Sequence, residues 1–267
     1  MNKQLNEKKE QLKISLIKMN KVVIAFSGGV DSAFLLAFSH QILGKNTIAV
    51  TIDSPFTPSW ELDDAKEFTK SMKINHKIIK IVYKELEYIR KNQLDRCYYC
   101  KKLIFKRIKD FAKKNNFKFV LDASNYDDLN DYRPGMKALK ELKIISPLID
   151  VGLKKEEVRI LSKKMNLTSW DKPSMACLAS RFPYNSPITS SGLEKIEKSE
   201  EYIRSFGIKQ LRVRYFDEIA KIEVFKKDLK LIIKNSQRIA KFMKKLGFKY
   251  ITIDLEGYRT GSLNEAL

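Results

Sequence analysis

Residues 22–32 read Val-Val-Ile-Ala-Phe-Ser-Gly-Gly-Val-Asp-Ser, and this stretch decides the fold. Its first half, Val22 to Phe26, is wholly apolar and rich in β-branched residues, a pattern typical of a buried parallel strand. Ser27 to Ser32 turns the chain, and the apolar segment Ala33 to Leu43 predicts a helix that ends at Gly44. Strand, loop and helix together predict one unit of an α/β fold.

Strands and helices alternate along the chain around this unit. The further predicted strands are 47–52, 77–82 and 117–121, and the predicted helices are 2–19, 62–72 and 101–114. This alternation predicts an α/β class protein whose parallel, Rossmann-like sheet carries helices on both faces. Residues 185–192 are rich in Ser, Pro and Gly and indicate a linker. Beyond them, predicted strands 211–215, 219–225 and 250–255 and a predicted helix 228–246 form a small C-terminal α+β domain.

Composition restricts the classes of function. The chain has 267 residues, 43% hydrophobic and 31% charged, which is typical of a globular protein with a real core. No apolar run is long enough to span a membrane, and the polar N-terminus is unlike a signal peptide, so we expect a cytoplasmic protein. The net charge of +20 favours anionic partners such as nucleotides or nucleic acid, although the lysines are dispersed and a compositional bias would also explain them.

The loop from Ser27 to Ser32 has the properties of an anion site. Two glycines let the backbone approach a ligand closely, and the first N–H groups of the following helix lack internal partners. Asp31 either caps the helix or helps to hold Mg²⁺. The loop has no lysine and is therefore not a Walker A loop. It resembles the PP-loop of the N-type ATP pyrophosphatases, which implies that Ser27, Gly28, Gly29, Val30, Asp31 and Ser32 bind ATP and that ATP is cleaved to AMP and pyrophosphate.

Polar residues follow other strands of the predicted sheet. Asp53 ends the second strand, at the carboxyl edge where ligands bind in open α/β sheets, although an ordinary turn before Pro55 would also place it there. Asn125 and Asp128 follow the strand 117–121 and are predicted to line the ATP side. Residues 131–135 are expected to shape that loop.

The three cysteines of the chain are candidate ligands of a metal centre. Cys97 and Cys100 have spacing suited to one metal centre, and Cys177 follows 77 residues later. Three thiolates suit a [4Fe-4S] cluster with one open iron, whereas structural zinc would need a fourth ligand. Free thiols, or a redox pair formed by Cys97 and Cys100, are the other interpretations.

Several motifs together resemble the LarE family. They are the loop, residues 95–101 (Asp-Arg-Cys-Tyr-Tyr-Cys-Lys), Asn125 with 127–128, residues 131–135, the block 173–184 and residues 254–262. The resemblance implies a sulfur transferase of nickel-pincer nucleotide synthesis that adenylates pyridinium-3,5-biscarboxylic acid mononucleotide and replaces AMP with sulfur. Some members sacrifice the cysteine matching Cys177; the three cysteines here resemble the members that carry sulfur on a [4Fe-4S] cluster. The change of sequence pattern near residue 185 predicts a PP-loop domain over 1–184 and a small substrate or oligomerisation domain over 185–267.

The mononucleotide substrate requires a phosphate site. Arg212 and Arg214 alternate on a predicted strand, so both point to one face, and their guanidinium groups suit phosphate. The resemblance supports these two and Arg181 as substrate ligands, with Glu200 at the same site or on a metal. A solvated basic strand face is the alternative interpretation of the arginines, and an ordinary surface charge is the alternative for Glu200. Sulfide or a sulfur donor is the expected second substrate, and we expect a homo-oligomer.

Two other functions compete with this one. A PP-loop tRNA thiolase also combines such a loop with cysteines, and the positive charge would suit tRNA, but no separate RNA-binding module precedes the loop. An adenine-nucleotide sensor would bind ATP without requiring three cysteines or paired arginines.

Overall fold

The computed structural model describes residues 3–130, 134–173, 176–259 and 261–262. Of the residues quoted above, 131–133, 174–175 and Thr260 lie outside the described residues. The chain forms two compact units, Met1–Val82 with Cys97–Ser174, and Tyr83–Arg96 with Met175–Leu267. The division into domains at residue 184 stays a prediction. Among the described helices, none is long and apolar enough to cross a membrane.

The first unit is built on a four-stranded parallel sheet in the order β3-β2-β1-β4. Its elements are α1 Lys3–Met19, β1 Val22–Ala25, α2 Val30–Leu43, β2 Thr47–Asp53, α3 Ser59–Ser71, β3 Asn75–Lys80, α4 Arg96–Lys114, β4 Phe119–Leu121, α5 Gly135–Glu141, α6 Pro147–Asp150 and α7 Lys155–Lys164. The predicted α/β class and the parallel sheet are confirmed.

The side chains of β1 alternate between two hydrophobic cores. Val22 and Ile24 pack in one core with Phe34 of α2, and helices α1 and α7 contribute to the same core. Val23 packs in the other core with Phe105 of α4. Burying such side chains contributes about 1.5–3 kcal/mol each. Helices therefore cover both faces of the sheet, which explains why the whole strand is apolar.

The second unit contains a smaller, mixed sheet in the order β5-β6-β7. Its elements are α8 Ser190–Arg204, β5 Leu211–Phe216, β6 Ile219–Val224, α9 Leu229–Lys234, α10 Ser236–Lys245 and β7 Tyr250–Ile253. Strands β5 and β6 are antiparallel, whereas β6 and β7 are parallel. Val213 and Ile222 pack in one core with Ile203 of α8 and Met243 of α10. The predicted small α+β part of the fold is confirmed.

Two local predictions in this unit are wrong. The linker predicted over 185–192 ends early, because Thr189 caps α8 by accepting a hydrogen bond from the Gly192 N–H at 3.0 Å. Small polar residues favour helix starts as well as linkers. The helix predicted over 228–246 is two helices, because the backbone at Asn235, with φ −103° and ψ 13°, leaves the helical range between α9 and α10.

Candidate active site

The loop between β1 and α2 has the conformation of an anion site. Gly28 has a φ of +75°, in the left-handed region that glycine tolerates and most side chains do not. Gly29 is the N-cap of α2 and offers no side chain to the first-turn N–H groups. The hydroxyl groups of Ser27 and Ser32 lie 3.2 Å apart across the loop. The loop therefore presents backbone N–H groups at a helix N-terminus, with two hydroxyl groups beside them.

Hydrogen bonds beneath the loop fix the end of β1. The Thr51 hydroxyl donates to the Phe26 carbonyl at 2.8 Å, and His76 Nε2 lies 2.8 Å from the same hydroxyl. Burial, and then the charge of Lys66, lower the pKa of His76 below its ordinary value. Thr51 lies on β2, and Asp53, which the sequence predicted to bind ATP, is half-buried at the end of the same strand. The strand end that carries the loop is thus rigidly held.

Asp31 lies at the centre of a charged network in the first turn of α2. Its Oδ2 accepts hydrogen bonds from Lys155 Nζ at 2.6 Å and from Asn125 Nδ2 at 3.4 Å. Its Oδ1 is buried without a hydrogen-bond partner among the described residues. An oxygen of this kind suits a hard cation such as Mg²⁺. No local pattern in the sequence indicates Lys155 as a site residue, because it comes from α7, 124 residues away.

The segment after β4 positions the predicted ATP residues Asn125 and Asp128. Asp128 Oδ2 accepts from the Asn125 N–H at 3.0 Å, and Asn125 Oδ1 accepts from the Asp127 N–H at 3.0 Å. Asp127 Oδ2 in turn accepts from the Lys155 N–H at 2.8 Å, which ties this segment to the start of α7. The structure therefore brings the Asn125 side chain to Asp31, and Asp128 supports Asn125 by accepting the hydrogen bond of its backbone N–H.

Two further lysines lie at this end of the first unit, and sequence analysis did not single them out as site residues. Lys101 of α4 bonds to Asp122 Oδ2 at 3.2 Å. Lys172 bonds to Asp64 Oδ2 at 2.7 Å and approaches the Gly28 carbonyl at 3.4 Å. Lys155 and Lys172 thus place ammonium groups at the loop, whose own sequence contains none, whereas Lys101 lies at the end of β4.

The cysteines occupy two different structural settings. Cys97 and Cys100 lie in the first two turns of α4, and their three-residue spacing places both on one helix face. Cys177 is exposed and belongs to the second unit, where its carbonyl accepts from Arg181 Nη1 at 2.9 Å. None of the three forms a disulfide. Across the described ranges, no three His, Cys, Asp or Glu side chains are grouped so that they could hold a metal ion.

Arg181 and Glu200 form a buried ion pair in the second unit. Arg181 is 0% and Glu200 1% exposed, and two parallel hydrogen bonds of 2.8 Å join them. Burial alone would raise the pKa of Glu200, but the charge and hydrogen bonds of Arg181 outweigh it and hold this pKa below its usual range. Arg181 also donates to the carbonyls of Ala176 and Cys177. Through these hydrogen bonds, Arg181 stabilises the backbone of the segment that contains Cys177. Direct substrate binding by Arg181 and Glu200 stays a prediction.

Arg212 and Arg214 lie on β5 and are both largely buried. Arg214 pairs with Glu223 of β6 at 2.9 Å and donates to Ser262 Oγ at 2.8 Å. Burial, and then the charge of Arg181, lower the pKa of Arg212. Sequence analysis missed Glu223, because only the β5–β6 register, which pairs it with Arg212, brings it to the arginines.

Five charged side chains are buried together in this cluster. Three guanidinium groups, of Arg181, Arg212 and Arg214, stand beside two carboxylates, of Glu200 and Glu223. Buried charge requires compensation. The forked donors of guanidinium groups suit the binding of an anion such as phosphate.

The sheet, the loop at its carboxyl end and the following helix define a PP-loop enzyme of the ATP pyrophosphatase class. In agreement, the profile of the NAD synthase family matches residues 5–115. The sequences of several similar proteins align with nearly the whole chain. Pyridinium-3,5-bisthiocarboxylic acid mononucleotide synthase of Lactiplantibacillus plantarum is 34% identical over 98% of this chain and 96% of its own. Uncharacterized proteins of Synechocystis sp. and Methanocaldococcus jannaschii are 35% and 36% identical over 98% and 97% of this chain and 99% and 98% of theirs. The chain belongs to the LarE family, that of the synthase.

Proposed function

We propose that this enzyme is an ATP-dependent sulfur transferase whose acceptor is pyridinium-3,5-biscarboxylic acid mononucleotide. The observation that carries the proposal is the loop of residues 27–32, with its left-handed Gly28, uncapped helix N-terminus and Asp31 oxygen without a partner among the described residues. The similar synthase of Lactiplantibacillus plantarum supports the choice of acceptor. A carboxylate cannot exchange oxygen for sulfur directly, because oxide is a very poor leaving group.

Activation by ATP removes this obstacle in two steps. A carboxylate oxygen of the acceptor attacks the α-phosphorus, the bond to the β-phosphate oxygen breaks, and pyrophosphate leaves. The N–H groups of the loop are fixed before the reaction and stabilise the charge that develops on the phosphates. A sulfur nucleophile then attacks the acyl carbon of the adenylate, and AMP leaves with the electron pair of the C–O bond. The product is a thiocarboxylate.

We infer that Cys97, Cys100 and Cys177 hold a [4Fe-4S] cluster. When bound, such a cluster supplies the sulfur for transfer. The chemistry of the donor set supports it, because none of the three cysteines forms a disulfide and the first two share a helix face. Both histidines, the usual fourth ligands of zinc, are hydrogen-bonded within the first unit, His40 to the Gly44 carbonyl and His76 to Thr51.

The products of ATP cleavage test the PP-loop chemistry. With Mg²⁺, ATP and acceptor, we expect AMP and pyrophosphate, resolved by ³¹P NMR or anion-exchange chromatography. Asp31→Ala should abolish turnover, because it removes the carboxylate at the loop and leaves Lys155 unpaired. Ser71→Ala, at the exposed C-terminal end of α3, is the matched control and should leave turnover unchanged. ADP and phosphate as products would refute the proposal.

The buried arginines predict a separate effect on the acceptor. Arg212→Ala and Arg214→Ala should each weaken binding of the mononucleotide by about 1.5–3 kcal/mol, the value of a charge-assisted hydrogen bond. ATP affinity should hardly change. Isothermal titration calorimetry measures the affinity of each variant for the mononucleotide and for ATP. Arg238→Ala, at an exposed position, is the control and should change neither affinity. A variant that loses ATP affinity and keeps acceptor affinity would contradict the assignment.

A further inference from the structure

The loop lacks the lysine that Walker-type phosphate loops carry, yet an ammonium group lies on it. Lys155 Nζ is 2.6 Å from Asp31 Oδ2, in the first turn of α2, where the anion-binding N–H groups are. The side chains of Lys155 and Asp31 are 34% and 19% exposed, so the pair is partly accessible. A positive group therefore stands at the loop before any nucleotide arrives.

The structure holds Lys155 in this place through its backbone as well as its side chain. The Lys155 N–H donates to Asp127 Oδ2 at 2.8 Å. Helix α7, which Lys155 begins, buries Val158 and Leu161 in the same core as Val30 of α2. The tether of the ammonium group is therefore rigid, and only the side chain needs to move for the group to change partner.

Asp31 offers a reason for such a change of partner. Its Oδ1 is already without a partner among the described residues, and a divalent cation that arrives with a nucleotide would compete for the carboxylate. We propose that Lys155 then donates its hydrogen bonds to the oxygens of the polyphosphate chain of ATP and afterwards to the released pyrophosphate. Lys155 makes and breaks no covalent bond. It supplies the cation that the loop sequence omits.

Lys172 provides an informative contrast. It also lies beside the loop, but its carboxylate partner, Asp64, belongs to α3 outside the loop. A cation bound at Asp31 does not compete for Asp64, so Lys172 has no cause to leave it. The inference therefore concerns Lys155 alone, and it rests on the proposed ATP site.

The test compares three ligands, Mg²⁺–ATP, Mg²⁺–pyrophosphate and AMP, by isothermal titration calorimetry on the full chain. Lys155→Met should weaken the affinity for ATP and for pyrophosphate about 10- to 100-fold, the loss of a charge-assisted hydrogen bond. AMP lacks the β- and γ-phosphates, so its affinity should stay within about twofold. Lys155→Arg should recover most of the loss. Lys164→Met removes the same charge from the exposed end of the same helix and should change nothing.

A second comparison separates direct contact from mere neutralisation of Asp31. If Lys155 acts only on Asp31, then Lys155→Met should have no effect in an Asp31→Asn background. Direct contact predicts that pyrophosphate affinity still falls about 10-fold or more there. Absence of that fall, or equal loss of AMP and pyrophosphate affinity in the single variant, would overturn the inference. Wild-type protein that binds neither ATP nor pyrophosphate would instead refute the ATP site itself.

Discussion

Replacement of Glu200 by glutamine is expected to lower the free energy of unfolding by about 3–5 kcal/mol, since removal of one partner leaves a buried charge uncompensated. The partner is Arg181, which is 0% exposed. Glutamine nearly preserves the shape of the side chain, so the effect measures the charge and its two 2.8 Å hydrogen bonds. Chemical denaturation measures the change. Glu201→Gln, at the exposed neighbouring position, should alter stability by less than about 0.5 kcal/mol.

The same pair predicts a dependence on pH. The pKa of Glu200 is lowered in the folded protein, so it contributes stability above its unfolded pKa of about 4.3, and this contribution is lost as the pH falls toward the folded value. The stability difference between wild-type and Glu200→Gln protein should therefore be constant near neutral pH and shrink below about pH 4. A difference that is small at pH 7, or that grows on acidification, would show that the pair does not stabilise the fold.

Loss of any one cysteine should abolish repeated sulfur transfer. In the proposed arrangement Cys97, Cys100 and Cys177 are all ligands and none is consumed, so a three-ligand site cannot spare one. Each Cys→Ala variant should contain less iron and acid-labile sulfide after anoxic purification and should make no thiocarboxylate. ATP–pyrophosphate exchange with the acceptor should be retained, because the loop proposed to bind ATP contains none of the three cysteines. Tyr99→Phe, between the two helical cysteines, is the matched control and should keep its iron.

Mass spectrometry distinguishes this arrangement from a sacrificial cysteine. Wild-type protein supplied with sulfide should make more than one product per chain, and the peptide that contains Cys177 should keep its mass. If Cys177 were the sulfur source, each chain would act once and lose the mass of hydrogen sulfide. The decisive variant is Cys97→Ala with Cys100→Ala. If it still transfers one sulfur and loses that mass, the cluster proposal is wrong.

Local signals were sufficient for most of the fold. Val22 to Phe26 predicted a buried strand because a strand covered on both faces must be apolar throughout, and β1 indeed contributes to two cores. Prediction failed where the same local composition is compatible with two kinds of secondary structure. Thr189 begins a helix in a segment whose Ser, Pro and Gly content indicated a linker, and Asn235 divides a segment whose pattern indicated one helix.

The sequence by itself determined the parallel sheet, the phosphate loop, the cysteine spacing and the alternating arginines of β5. Each of these depends on residues a few positions apart, where backbone periodicity decides which side chains share a face. Only the tertiary structure decided that Lys155 meets Asp31, that Arg181 is buried against Glu200, and that Glu223 joins Arg214. Those partners lie 124, 19 and 9 residues apart along the chain. Their meeting depends on how helices pack and strands pair, and no pattern local to either partner encodes it.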